Sequence, residues 1–455
     1  MAADLTHRFA TLITESRPGP EAIAAARDGV LDFLACAVGG LEDVAFRKVR
    51  DVLLPQAGAA RASVIGQPGR VDAQTAALLN ATLGHALDYD DVQAGVRGHP
   101  STVILPALFT AAEETGAGAE ALLAAYAVGV EAMARLGRAM GSRHYETGFH
   151  NTATLGPVGA AAAIGHLLGL APDVLANALG IAATQAAGLR LQFATEVKPL
   201  HAGLAARAGV LAVQLARAGL QGNAAFLDGR LGFPAVLGLG GAVPERVVAG
   251  WGEPWEILVP GLAFKAYPCC GASHLPADAI LDLIAEEGVG AADLAEAVVT
   301  FPPGGEAALV VTEPRNGLDG RFSVEYVIAV ALLDGRLGLA PFDDRPLRED
   351  VAALLPRIRR QVDQTVPSIG EAPDKRFARV DLWLRDGRHL SRTATRVRGV
   401  QDLRAKFLDA AAASGMDGAA IPDCVAGMRD AGDLAQLLAL LRQAGQRAAA
   451  AENRA

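Results

Sequence analysis

Residues 84–106, GHALDYDDVQAGVRGHPSTVILP, place His85, Asp88, Asp90, Asp91, Arg97 and His99 in one short span of an otherwise apolar, alanine-rich chain. The run before it, 71–88, repeats apolar residues at three and four. The run after it, Val103, Ile104, Leu105, Ala107 and Leu108, keeps the same period. The span therefore reads as helix, charged loop, helix. Pro100 suits the first helical position, because its missing N–H has no intrahelical partner there. His99 then lies at a helix N-terminus, where the dipole disfavours a cation by about 0.3 to 1 kcal/mol and a bound carboxylate is welcome. A core segment gains nothing from such a density of ionisable groups, so the stretch reads as half of an active site.

Outward from it, helical periodicity holds almost throughout from residue 5 to about 220, with good runs at 21–38, 119–140 and 172–188. The one short strand candidate in that part is 62–66. Near Trp251 the texture changes. Residues 255–259, 297–301 and 380–384 read as strands, and Asp386-Gly387 between 380–384 and 390–397 marks a hairpin. Helices at 274–287 and 324–333 lie among them. After Val400 the helical period returns at 403–413 and 434–446. The expectation is a mainly α protein, with a large discontinuous all-helical domain (1–255 and 401–455) around a smaller inserted α+β lid domain (256–400).

Composition narrows the function. Of the 455 residues 51% are hydrophobic but only 5% aromatic, so the core must be closely packed Ala, Leu, Val and Gly. The net charge of -9, with no basic patch, argues against nucleic acid and for a small-molecule ligand. Cys36, Cys269, Cys270 and Cys424 make neither a disulfide framework nor a metal-ligand spacing, which points to reduced thiols in a cytoplasmic protein with no metal and no cofactor. The N-terminal stretch does not resemble a secretory signal. The most membrane-like run, 154–171, contains Pro157 and His166 and suits a buried helix better than a span.

The logic at His99 recurs. His150 precedes an apolar helix that Asn151 or Thr152 would cap, Lys198-Pro199-Leu200-His201 opens another, and Ser273 would cap a helix beginning at His274. Four helices thus begin with His or Lys, the end at which a cation is disfavoured. A shared violation of a stability rule points to a shared functional cause, here a polyanion such as a di- or tricarboxylic acid held among four helix N-termini. Each residue also has a structural reading. His85 and His201 stand evenly between histidines bonded to carbonyls and substrate contacts. Asp90 reads as solvent-facing or as a structural acceptor, Asp91 as a brace or a substrate contact, and Tyr326 with Glu325 as packing or chemistry.

Six segments resemble the MmgE/PrpD family, which includes 2-methylcitrate dehydratase, cis-aconitate decarboxylase and iminodisuccinate epimerase. They are GHALDYDD, RGHPSTVILPAL, GFHNTATLGPVGAAAA, KPLHAGLAARAG, FKAYPCCGASH and FSVEYVIAVALLDG, in family order from about residue 80 to 340. The resemblance implies a helical domain with an α+β lid, a homodimer and a metal-free site between the two domains. It carries functional weight onto Asp88, His99, His150, Lys198, His274 and, in some branches, Tyr326. Val92 stands where the decarboxylase branch carries a hydroxyl-bearing Thr, Asn151 replaces a proline common after the histidine, and the 88–102 span is worded more like the epimerase branch.

The expected chemistry is proton abstraction next to a carboxylate, giving an enolate-like intermediate that loses water or CO2 or is reprotonated. Lys198, the helix amides and Arg97 or Arg321 would meet the developing charge. His99 or His150 would be the base, because imidazole titrates near neutral pH, with His274 as the acid and Asp88 as the orienting group. Three functions stay open: a dehydratase or decarboxylase, an epimerase of an amino- or imino-dicarboxylate, and a non-catalytic anion-binding scaffold.

Overall fold

The computed structural model describes residues 5–452, with the side chains of Pro373 and of 443–452 left out of the account. The longer helices are α1 (Leu5–Glu15), α2 (Pro20–Gly39), α3 (Val44–Leu53), α4 (Ala73–His85), α5 (Ser101–Thr115), α6 (Ala119–Met140), α7 (Asn151–Leu167), α8 (Pro172–Ala183) and α9 (Val197–Arg217), then α10 (His274–Glu287), α11 (Val324–Asp334), α12 (Leu403–Ala413) and α13 (Ala431–Glu452). The protein is mainly α. Helix α9 packs on α4 and α7, α6 on α7, and the late helix α12 on the early helix α2.

Small residues let these helices approach. A Cβ on Gly129 of α6 would lie 2.7 Å from Ala163 of α7, and one on Gly209 of α9 would lie 2.4 Å from Ala160. Close packing supplies the dispersion contacts that the scarce aromatics do not. Buried apolar side chains fall into two clusters. One joins α1–α9 with Phe407, Leu434, Leu437 and their neighbours from the C-terminal helices. The other gathers Phe193, Tyr267, α10, α11 and a sheet.

That sheet contains β1 (Leu294–Phe301), β2 (Ile358–Val362), β3 (Ala378–Leu384) and β4 (His389–Ala394) in the order β2-β1-β3-β4, with β1 and β2 parallel and the other pairs antiparallel. Gly387, at φ +89°, turns the β3–β4 hairpin where Asp386-Gly387 predicts it.

Several expectations change. Residues 255–259 form no strand. Pro254 and Pro260 remove two ladder donors, and Glu256 is held instead by its N–H on Glu131 Oε2 at 2.6 Å and its carboxylate on Arg138, so the segment coils into irregular turns. The 172–188 helix stops at Ala183. The strand at 62–66 shrinks to Ala62–Ser63, paired with Arg70–Val71. Strand β2, IRRQV, is an addition to the expected strands, because two adjacent arginines hide the alternation that marks a strand. Among the described residues no helix is long and apolar enough to cross a membrane.

Candidate active site

Helix α4 ends at His85, and the loop beyond it turns through Asp88 at φ +50°, a left-handed conformation that Asp tolerates better than most residues. The loop then makes a two-residue antiparallel ladder, Val92 with Ala263 and Gln93 with Leu262. That ladder lays residues 262–265 beside Asp88. Lys265 Nζ donates to Asp88 Oδ1 at 2.6 Å and to its carbonyl at 2.7 Å. Lys198, in the first turn of α9, donates to the same Oδ1 at 2.8 Å. All three groups are buried. Burial would raise the Asp88 pKa, but the two ammonium groups hold it well below the carboxylate range. One carboxylate facing two lysines leaves a net positive charge, which suits an incoming anion.

Asp90 is fully buried rather than solvent-facing. Its two oxygens lie 2.8 and 3.0 Å from His85 Nδ1. His99 Nδ1 is 3.3 Å from Asp90 Oδ2, close enough for an ion pair but too poorly aligned to count as a hydrogen bond. Burial pushes the His85 pKa down to about 3 against the pull of Asp90, so a neutral ring donates Nδ1–H to the carboxylate. Burial opposes ionisation of Asp90, while His85 and His99 beside it hold its pKa low. The ring of His85 stands 4.6 Å from that of His99 and 5.9 Å from that of His150, and His99 Nε2 is 3.7 Å from Asp88 Oδ1.

The four basic residues do stand at helix starts. Pro100, just outside α5, already has helical φ and ψ, so His99 immediately precedes that helix. His150 caps α7 with its backbone, accepting from Ala153 N–H at 2.9 Å, while its own N–H donates to Gly188 O at 3.0 Å. Lys198 is the second residue of α9 and His274 the first of α10. Asn151, Thr152 and Ser273 are not side-chain caps. Asn151 Nδ2 donates to Val96 O at 2.7 Å, and Thr152 Oγ1 accepts from His99 N–H at 3.1 Å, so both tie the charged loop to α7. Ser273 Oγ is buried without a hydrogen-bond partner among the described residues.

His150 Nδ1 meets His201 Nδ1 at 3.0 Å, one donating to the other. Burial and then Lys198 push the pKa of each downward. His274 Nε2 lies 3.3 Å from Cys269 O, and burial followed by the charge of Lys265 brings its pKa to about 3. Phe193 meets His150 edge-on, and Lys198 Nζ lies 5.5 Å from both the Phe193 and Phe322 rings. The site thus lies where the two apolar clusters meet.

Asp88, His85, His99, His150, Lys198 and His201 come together, while the contacts of His274 are with Cys269 O and the Tyr267 ring, 5.2 Å away, in the segment just beyond Lys265. Arg97, at φ +53°, lies on the rim 3.7 Å from Glu146. Asp91 accepts from Ser101, and burial raises its pKa well above the usual range. Arg321 is spent on Asp43, Ala86 O and Phe342 O, tying the second cluster to the end of α4. Tyr326 donates its hydroxyl to Pro341 O and packs on Phe342. Neither Arg321 nor Tyr326 offers a group to the histidines.

Sequence reasoning missed four residues. Lys265 lies inside FKAYPCCGASH, four residues before the paired cysteines. Lys406, in α12, donates to Asp32 at 2.6 Å and to the carbonyls of Tyr89 and Lys265 at 2.9 and 3.0 Å, so it underpins both segments that flank Asp88. Arg190 stacks 4.0 Å from the Tyr145 ring centre, with a buried Nε that has no hydrogen-bond partner among the described residues. Phe193 walls the lysine. Only Lys265 carried a sequence signal, its place in a motif.

The ligand atoms of His85, Asp88, Asp90 and His99 lie within 4.8 Å of one another, a donor set chemically able to bind a divalent metal. Two ammonium groups already occupy Asp88 Oδ1, and His85 takes both oxygens of Asp90. A dication there would face the charges of both lysines.

Residues 4–245 match the MmgE/PrpD N-terminal domain and 267–418 the MmgE/PrpD C-terminal domain. A cis-aconitate decarboxylase of Aspergillus terreus is 31% identical over 429 residues, covering 88% of this chain and 86% of that protein. The Homo sapiens cis-aconitate decarboxylase is 29% identical over 402 residues, covering 85% and 82%. A cis-aconitate decarboxylase-like protein of Aspergillus oryzae is 32% identical over 60% of each chain.

Proposed function

Because this chain belongs to the MmgE/PrpD family, we propose that it is a lyase that removes CO2 from a small polycarboxylate of the cis-aconitate kind. The observation that carries the reading is the single Asp88 oxygen shared by the ammonium groups of Lys198 and Lys265, ringed by imidazoles. The names of the relatives support decarboxylation over dehydration.

In the proposed reaction one substrate carboxylate lies against the two lysines. As CO2 leaves, the electron pair of the broken C–C bond spreads into the remaining unsaturated carboxylate. Lys198 and Lys265 stabilise that charge in a site already built for it. A proton must then reach carbon. His99, the least buried of the site histidines at 8% exposure and backed by Asp90, carries it. His274, neutral in the free protein, gains basicity when a polyanion arrives beside Lys265 and, once protonated, donates a hydrogen bond to a carboxylate that stays on the substrate. No step calls on a metal or a cofactor. The site residues are all buried, so entry requires the second cluster to swing away as a lid. A cytoplasmic homodimer is part of the same proposal.

Proton NMR in heavy water on chelator-treated enzyme tests it. A cis-aconitate-like acid is expected to lose CO2 and gain one deuterium on carbon, and His99→Ala is expected to lower the rate by about 10²- to 10⁴-fold. Deuterium exchange without loss of CO2 would make the protein an epimerase. Loss of water would make it a dehydratase, and binding without turnover an anion-binding scaffold.

A further inference from the structure

Away from the histidines, Arg135, Arg138, Arg246 and Ala249 line a recess of about 300 Å³ on the outer face of α6. Arg135 is committed to Glu131 and to the carbonyls of Ala249 and Gly250. Arg138 holds Glu256 through Nε at 2.5 Å and Nη2 at 2.9 Å, which leaves Nη1 unbonded among the described residues. Among the described residues the Arg246 guanidinium has no hydrogen-bond or ionic partner. Three guanidinium groups thus stand over two buried carboxylates, Glu131 and Glu256, with donors to spare.

Through Glu256, the partner of Arg138, the recess is wired to the charged loop. Glu256 Oε2 also accepts from Gln93 Nε2 at 2.9 Å, and Gln93 Oε1 accepts from Val96 N–H at 2.9 Å. Gln93 further pairs with Gly98 and, through its carbonyl, accepts from Arg97 N–H at 2.9 Å. The loop leans on the same helix, since a Cβ on Gly95 would lie 3.2 Å from both Ala134 O and Arg138 Nε, and one on Gly137 would lie 2.3 Å from Gly95 O. Arg138, Glu256 and Gln93 form one continuous hydrogen-bonded path to the residue before His99.

We propose that this recess is a second ligand site, for a small oxyanion carrying two or more charges, of phosphate or polycarboxylate chemistry, whose binding is felt by the 93–99 loop. An anion bridging Arg138 and Arg246 competes with Glu256 for the Arg138 fork. Glu256 then loses the partner that aims it at Gln93, and the loop that presents Arg97 and His99 loosens. Guanidinium groups suit such ligands because their planar donors match two oxygens at once. The site is independent of the reaction assigned to the histidines.

Calorimetric titration of the full chain with inorganic pyrophosphate and with citrate tests the inference. At least one is expected to bind, Lys198→Met is expected to leave that binding in place, and Arg246→Ala is expected to weaken it by about tenfold or more, the scale of one charge-assisted contact. The tighter ion identifies the ligand chemistry. Hydrogen exchange of amides 93–98 is expected to rise when the ion is bound. Binding that Arg246→Ala leaves intact, binding that Lys198→Met abolishes, or unchanged exchange at 93–98 overturns the proposal.

Discussion

Lys198 and Lys265 have similar burial and the same acceptor, yet they come from opposite sides of the site, α9 and the segment before α10. Either one alone still neutralises Asp88. Lys265→Met and Lys198→Met are therefore each expected to leave the melting temperature nearly unchanged while lowering kcat by about 10²-fold or more, the scale of removing one preorganised charge. Wild-type kcat in either variant would remove that lysine from the chemistry. The histidines set a pH dependence. His85 and His274 have folded pKa values of about 3 against 6.5 when unfolded, so between those values the unfolded chain binds more protons and stability falls as pH falls. The lowered values of Asp88 and Asp90 add a further loss below the ordinary carboxylate range. The raised values of Asp32 and Asp91 act in the opposite sense above it. The urea midpoint is expected to drop from pH 6.5 downward, and less steeply in His85→Gln. A midpoint flat between pH 7 and 5 would contradict this.

At the scale of elements, the helix starts matter because they aim backbone as well as side chains. His150 hangs from Gly188 O, and Gly188, at φ +140°, would put a Cβ 2.4 Å from that of Ala153. Gly188→Ala combines backbone strain with a clash, and is expected to cost about 2 to 4 kcal/mol, strain alone accounting for 1 to 3. It is also expected to lower activity by shifting His150. Gly169, at φ +59° with open space around it, isolates the strain. Gly169→Ala is expected to cost no more than about 1 kcal/mol and to leave activity alone. Equal denaturation midpoints for the two variants would show that Gly188 has no special role. The helix boundaries at 119–140, 274–287 and 403–413 were legible because period, glycine and proline agreed there. The segment at 255–259 was not, since a distant ion network holds it.

At the scale of the molecule, the C-terminal helix α12 reaches back to the floor of the site through Lys406. Lys406→Met leaves Asp32 buried and unpaired, and is expected to cost about 3 to 5 kcal/mol. Adding Asp32→Leu is expected to restore the denaturation midpoint but not kcat, because the carbonyls of Tyr89 and Lys265 remain without their donor. Recovery of both would reduce Lys406 to a purely structural ion pair. The sequence by itself determined the mainly helical architecture, the clustering of ionisable groups at 84–106 and the placing of His99, His150, Lys198 and His274 at helix starts. Each of these follows from local period and capping chemistry. Only the tertiary structure decided that Asp90 is buried beneath two histidines, that Lys265 shares the Asp88 oxygen with Lys198, that Arg321 is consumed by Asp43 and that Tyr326 faces Pro341. The reason is physical: a side chain's charge and hydrogen-bond partners come from segments up to hundreds of residues away, and no periodicity along the chain records which of them will meet.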